Sequence, residues 1–271
     1  MGPSGLLRAG LSLFRWFSQD VTDQTEGPFM STPIYAIGDI HGQLEDLHRV
    51  LGLIETDGGK DARIVFLGDY VDRGPDSKGV VDLLMTGIAD GRNWTAIRGN
   101  HDRYFTRFLD DQTVYDPATR ADLFWMNPRL GGDKTLLSYG VTGQDGAPVG
   151  PIHKAALQAV PQSHRDFLAN LPNIHTTEHL IFVHAGLRKG IALQNQIEDD
   201  LIWIRSDWLT QPHDFGRIVV HGHTTVDYPE HHGYRINLDA GAGYFKPLQA
   251  AVFEGQDAHV ITDKGRIPLR P

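Results

Sequence analysis

From Pro33 onward the chain alternates short apolar runs with longer mixed segments. Ile34-Tyr35-Ala36-Ile37, Arg63-Ile64-Val65-Phe66-Leu67 and Trp94-Thr95-Ala96-Ile97 are largely apolar runs too short for helices, and they predict buried strands. Between the first two, Leu44, Leu47, Val50, Leu51 and Ile54 recur at helical spacing over Gln43 to Glu55. After the second, Pro75 marks the start of a helix that carries Val80, Val81, Leu83 and Leu84. From Tyr104 to about Asn173 the strand signal disappears. Arg120 to Met126 and His153 to Leu171 read as helical and Gly131 to Gly150 as turn-rich, which predicts a helical insertion near residues 104–173. Strands return at Leu180 to Val183, Arg217 to Val220, Arg235 to Leu238, Leu248 to Phe253 and His259 to Thr262. The last three lie close enough in sequence to form antiparallel hairpins. The elements together predict an α/β chain of two mixed sheets packed face to face with helices outside. No repeat, low-complexity tract or linker divides it, so one domain is expected over 31–271, preceded by an extension over 1–30.

Each predicted strand runs into a polar, glycine-flanked motif, and in α/β folds ligands bind at the carboxyl ends of strands. The motifs are Gly38-Asp39-Ile40-His41-Gly42, Gly68-Asp69-Tyr70-Val71-Asp72-Arg73-Gly74, Gly99-Asn100-His101-Asp102, His184-Ala185-Gly186 and His221-Gly222-His223. Asp39, His41, Asp69, Asn100, His184 and His223 offer oxygen and imidazole nitrogen, the donors needed by two divalent cations that clamp both ends of a displacement at phosphorus. Asp39 and His41, two residues apart in an extended loop, can reach one ion. Asp69 is the natural bridge, with one oxygen for each ion; Asn100 offers an amide oxygen, and His184 and His223 complete the shell of the second ion. An all-nitrogen-and-oxygen set suits manganese, iron or zinc. His221 reads as a support for the site or a structural residue rather than a ligand. The remaining histidines match no ligand pattern.

The net charge of −9 lacks the basic footprint of a general nucleic-acid binder, although bound divalent ions would invert the local potential and draw in a phosphate. The absence of cysteine excludes disulfides, thiolate nucleophiles and cysteine-type zinc sites, and it fits a cytoplasmic location. Leu6 to Phe17 is too short an apolar run to span a bilayer and has no basic segment ahead of it. As a helix it places Arg8, Ser12 and Arg15 on one face, which leaves two readings open: contact with a membrane or partner, or packing on the parent domain.

The motif series resembles the phosphoprotein phosphatase family within the calcineurin-like metallophosphoesterases, its bacterial and phage members above all. The resemblance implies a four-layer αββα sandwich with a dinuclear centre at the strand ends. It places Asp39, His41 and Asp69 on one ion and Asp69, Asn100, His184 and His223 on the other. It further implies His101 as general acid with Asp72 as its carboxylate partner, and Arg73 and Arg205 as phosphate-gripping residues. The expected reaction is direct in-line attack on phosphorus by a hydroxide held between the ions. The expected substrate is a phosphorylated protein, on serine, threonine or tyrosine, or a small phosphoester. Asp102 stands where many eukaryotic members carry glutamate, and bacterial members often show this aspartate. Gly74-Pro75-Asp76-Ser77 also resembles the symmetrical diadenosine tetraphosphatases, the alternative reading. Two residues argue against it: His41 fits the protein-phosphatase-like pattern, and Asp72 partners an acid that an anhydride, which leaves as phosphate, hardly needs. A non-catalytic binding module ranks lower still, since every expected ligand and the acid pair are present.

Overall fold

The computed structural model describes residues 32–271; the expected N-terminal extension and its helix lie outside the described residues. The first half repeats strand, loop and helix: β1 (Ile34–Ile37), α1 (Leu44–Gly58), β2 (Arg63–Phe66), α2 (Ser77–Ala89), β3 (Trp94–Ala96) and α3 (Asn100–Asp111). Three helices follow, α4 (Gly132–Ser138), α5 (Val149–Ala159) and α6 (Gln162–Ala169). The second half holds β4 (Ile174–Thr176), β5 (Leu180–Val183), α7 (Glu198–Trp203), α8 (Ser206–Thr210), β6 (Ile218–His221), β7 (Glu230–His231) and β8 (Arg235–Asn237). It closes with β9 (Ala250–Glu254), β10 (Asp257–Thr262) and β11 (Gly265–Leu269).

Two mixed sheets result. One runs β11-β10-β9-β1-β2-β3, the other β4-β5-β6-β8-β7. In the first, β1, β2 and β3 are parallel; in the second, β5, β6 and β8 are. Strand side chains alternate faces, and here both faces are covered, which is why the runs are almost continuously apolar. Ile34 and Ala36 of β1, Val65 of β2, Phe182 of β5 and Val220 of β6 meet in the layer between the sheets. Tyr35, Ile37, Ile64 and Phe66 face the other way, against α1, α2 and α3. Ile181, Val183 and Val219 face α7 and α8 through Leu201, Ile202 and Trp208. Helix, sheet, sheet, helix is the layer order, as expected.

Several elements depart from the sequence reading. Arg120 to Met126 forms turns rather than a helix. Arg120 pairs with Asp122 two residues on, and the Trp125 amide donates to Val114 O at 2.7 Å, outside any helical ladder. His153 to Leu171 is two helices, because Pro161 follows an extended Val160. Helix α4 lies inside the segment read as turns. Pro75 precedes α2 by two residues; the cap is Asp76, whose carboxylate accepts from Gly79 N at 2.7 Å. β9 and β10 do form an antiparallel hairpin, but β8 belongs to the other sheet, parallel to β6. Among the described residues no helix is long and apolar enough to cross a membrane.

Candidate metal centre and active site

The loops after β1, β2, β3, β5 and β6 converge, so residues from both sheets meet at the carboxyl ends of parallel strands. The Asp39 carboxylate accepts from the His223 amide at 3.1 Å, and His184 Nε2 lies 2.9 Å from Asn100 Oδ1. Closeness demands glycine at two places. A Cβ on Gly222 would stand 2.0 Å from Asp39 Oδ1, and one on Gly99 would stand 2.2 Å from Asp69 Oδ1. The backbone is strained at the same spot. Of the seven described non-glycine residues with positive φ, five are His41, Asp69, Asp72, Arg73 and His223. Such strain persists only where the surroundings over-determine it, and it clusters at functional sites.

The donor set fits a cation. Burial lowers His184 to about 4, so it is neutral and holds one ring proton. That proton sits on Nδ1, which donates to Leu67 O at 2.8 Å. The Nε2 lone pair therefore faces two further acceptors, Asn100 Oδ1 and, at 3.5 Å, Asp69 Oδ2. Likewise His41 Nδ1 donates to Val71 O at 2.9 Å and turns Nε2 toward Asp69 Oδ2 at 3.5 Å. Acceptors converging without a proton between them are the signature of a cation site. Burial also pushes Asp69 up to about 7. Asp39 rises well above its ordinary value through burial and then the charges of Asp239 and Asp69. Positive charge between these carboxylates would relieve both effects.

The donor atoms fall into two groups within 4.8 Å of one another: His41, Asp69 and His101, and Asp69, His184 and His223. Asp69 belongs to both, the position expected of a bridge. Asn100 Oδ1 joins the second group, 2.8 Å from His223 Nδ1. Asp39 falls in neither group, its carboxylate held by the His223 amide, while His101 takes a place in the first group that its expected role as acid did not give it.

His101 Nδ1 donates to Asp72 Oδ2 at 2.6 Å. Asp72 is fully buried and receives two further donors, Trp125 Nε1 at 2.9 Å and Thr135 Oγ1 at 2.6 Å. Burial raises the Asp72 carboxyl, and these two bonds oppose the rise. Burial and then the Arg73 guanidinium hold His101 below its ordinary value, so the ring is neutral. Arg73 spans the two imidazoles: Nη1 donates to His41 Nε2 at 2.8 Å and Nη2 to His101 Nε2 at 3.1 Å. Its guanidinium also lies over the Tyr244 ring, 4.8 Å from the centroid. A cavity of about 300 Å3 opens over Asp39, Asp69, Asn100, His101 and His223, with Arg73, Arg205 and Tyr244 on its walls. Asp39, Asp69, Arg73, Asn100, His101, Arg205 and His223 line this cavity, and His41, Asp72 and His184 lie within hydrogen-bonding distance of Arg73, His101 and Asn100 of its lining. His221 is turned away, donating from Nδ1 to Gly222 O at 3.0 Å and packing on Trp208.

Other residues of the site escaped the sequence reading. Asp102 accepts from the amides of Asp69 (2.8 Å), Tyr70 (2.9 Å) and Gly99 (2.9 Å), tying the loops after β2 and β3 together. An acid three residues into a helix after glycine is a recognisable cap signal and could have indicated this bond. Trp125 and Thr135 carried no such signal.

A family model for calcineurin-like phosphoesterases matches residues 32–246. Serine/threonine-protein phosphatase PP1-1 of Saccharomyces cerevisiae is 45% identical over 76 residues, 27% of this chain and 24% of the yeast protein. The chain thus spans about a quarter of that relative's length. The asymmetrical bis(5'-nucleosyl)-tetraphosphatase PrpE of Oceanobacillus iheyensis is 28% identical over 235 residues, 80% of this chain and 87% of the relative. Among solved structures, a cold-active protein-tyrosine phosphatase of a psychrophilic Shewanella shares the fold at TM-score 0.61 and 15% identity, over 89% of this chain and 81% of that one. The chain belongs to the calcineurin-like phosphoesterase family and is a phosphoester-cleaving hydrolase.

Proposed function

We propose that this phosphoesterase is a phosphomonoesterase acting on phosphoserine or phosphothreonine in proteins. Its catalytic domain covers 31–271, with 104–173 as the insertion beside the cleft. The observation that carries the reading is the buried His101–Asp72 pair at 2.6 Å, braced by Trp125 and Thr135. A serine or threonine alkoxide leaves only when protonated, and an oriented imidazole is the group for that task.

Asp39, His41, Asp69, Asn100, His184 and His223 would hold two divalent ions, manganese, iron or zinc. When bound, the ions supply activation of the attacking water and neutralise charge on the phosphoryl oxygens. The protein's own groups do the rest. Arg73, which now donates to His41 and His101, turns its planar fork to the phosphate oxygens, and Arg205, which lines the same cavity, meets them as well. Release of His101 Nε2 by Arg73 frees that nitrogen to take up a proton from solvent, and the imidazolium so formed gives it to the leaving oxygen. Asp72 keeps the ring oriented through Nδ1 and favours the protonated form.

A second reading, hydrolysis of dinucleoside polyphosphates, is supported by the match to PrpE along most of the chain. Initial rates of manganese-loaded protein on a phosphoserine peptide, a phosphotyrosine peptide and diadenosine tetraphosphate decide between them. Faster turnover of phosphoserine, lost in His101→Asn, is the expected result. Faster cleavage of the dinucleotide, untouched by His101→Asn, overturns it.

A further inference from the structure

Arg235 on β8 is 4% exposed, and among the described residues no carboxylate lies within ion-pair distance of it. Burying a guanidinium against neutral acceptors alone is costly, so its three contacts point to a task. Nη2 donates to Leu209 O at 3.1 Å, Nε to the Tyr234 hydroxyl at 3.3 Å and Nη1 to His221 Nε2 at 3.3 Å. Leu209 lies in α8, and its own amide donates back to Arg205 O at 3.0 Å. The Tyr234 hydroxyl reaches the same helix, donating to Trp208 O at 3.4 Å. Trp208, fully buried, wedges α8 against the Gly186 backbone, where a Cβ would stand 2.4 Å from the indole nitrogen. The polar links from Arg235 to α8 therefore end at the residue that opens the helix, Arg205, on the wall of the catalytic cavity.

We infer that Arg235 is a positioning residue: it holds the last turn of α8 and thereby sets Arg205 toward the phosphate. The inference rests on the reading of Arg205 as a phosphate contact. An arginine aimed at an anion contributes only when its backbone is held, because the two hydrogen bonds it makes are directional.

The test uses manganese-loaded protein with p-nitrophenyl phosphate as substrate and inorganic phosphate as competitor. Arg235→Gln should weaken phosphate inhibition and raise KM by about tenfold, the effect of one charge-assisted hydrogen bond, with bound metal unchanged. Arg235→Lys, which still reaches Leu209 O, should recover most of the loss. Arg205→Ala should weaken phosphate binding as Arg235→Gln does, and the double variant should bind phosphate no more weakly than Arg205→Ala alone. Should Arg235→Gln fail to fold, Tyr234→Phe removes the hydroxyl that joins Arg235 to Trp208 O. It should cost about threefold and show the same non-additivity. Additive losses, or an unchanged phosphate constant in Arg235→Gln, overturn the positioning role while leaving Arg205 as a contact. A silent Arg205→Ala removes the contact itself, and the positioning role with it.

Discussion

Replacing Asp102 by asparagine keeps the shape of the side chain and removes its ability to accept on both sides. The carboxylate is fully buried, and its oxygens take backbone amides from Asp69, Tyr70 and Gly99 at 2.8–2.9 Å. Burial raises this carboxyl to about 6, so it is ionised at pH 7.5. The better orientation of an asparagine keeps its oxygen on the Asp69 and Gly99 amides and sets its NH2 group against the Tyr70 amide. Two bonds then lose their charge and one buried donor has no acceptor, for a total of about 3 kcal/mol. In a domain of this size that lowers Tm by about 6–12 °C. The same amides carry the Asp69 and Asn100 loops, so manganese affinity should fall about tenfold, as for other residues that orient metal ligands. Thermal denaturation followed by circular dichroism, with and without manganese, together with calorimetric titration of the metal, reads both effects. A Tm within about 2 °C of the parent and an unchanged metal affinity would refute the view that this carboxylate joins the two loops.

Further expectations concern the chemistry and the acid limit of stability. His101→Asn should bind metal as the parent does yet lose about 10²–10⁴ in kcat on phosphoserine, and less on p-nitrophenyl phosphate, whose leaving group needs no proton; equal losses on both substrates contradict the acid role. Asp69→Asn removes the carboxylate shared by both donor groups, so bound metal measured by elemental analysis and activity should vanish together. Chelation should abolish turnover and lower Tm, with both restored by manganese, since ligand that binds only the folded state stabilises it. Arg266 donates to Asp57 from Nε and Nη2, and these bonds hold the carboxyl below its ordinary value. A lowered folded-state value gives stability that is present above the unfolded value and is lost as pH falls through the folded one. Asp57→Asn should therefore flatten the decline of Tm on acidification, and an unchanged decline assigns it to other groups.

Much of this molecule follows from local pattern. The runs at Ile34, Arg63, Trp94 and Leu180 became strands because both their faces are covered, and covered strands read as continuous apolar runs. Asp39, Asp69, Asn100 and His184 were legible as a set because each follows such a strand, and strand ends gather in one place in any α/β sandwich. What the sequence could not convey was which distant groups complete each residue. His221 ends β6, whereas His223 lies two residues beyond it at a positive φ that takes the chain out of the pleat, so one ring meets Arg235 and the other Asn100. Asp72 owes its environment to Trp125 and Thr135, from turns and a helix that carry no periodic signal. β8 was grouped with the two strands that follow it, but pairing is decided by which strand offers an open edge of matching register, and β8 lies between β6 and β7 in the other sheet. Side-chain period arises from the steric limits of a few consecutive residues, and it survives in the sequence alone. Partner choice is a property of packing between segments far apart in the chain, and only the tertiary structure decides it.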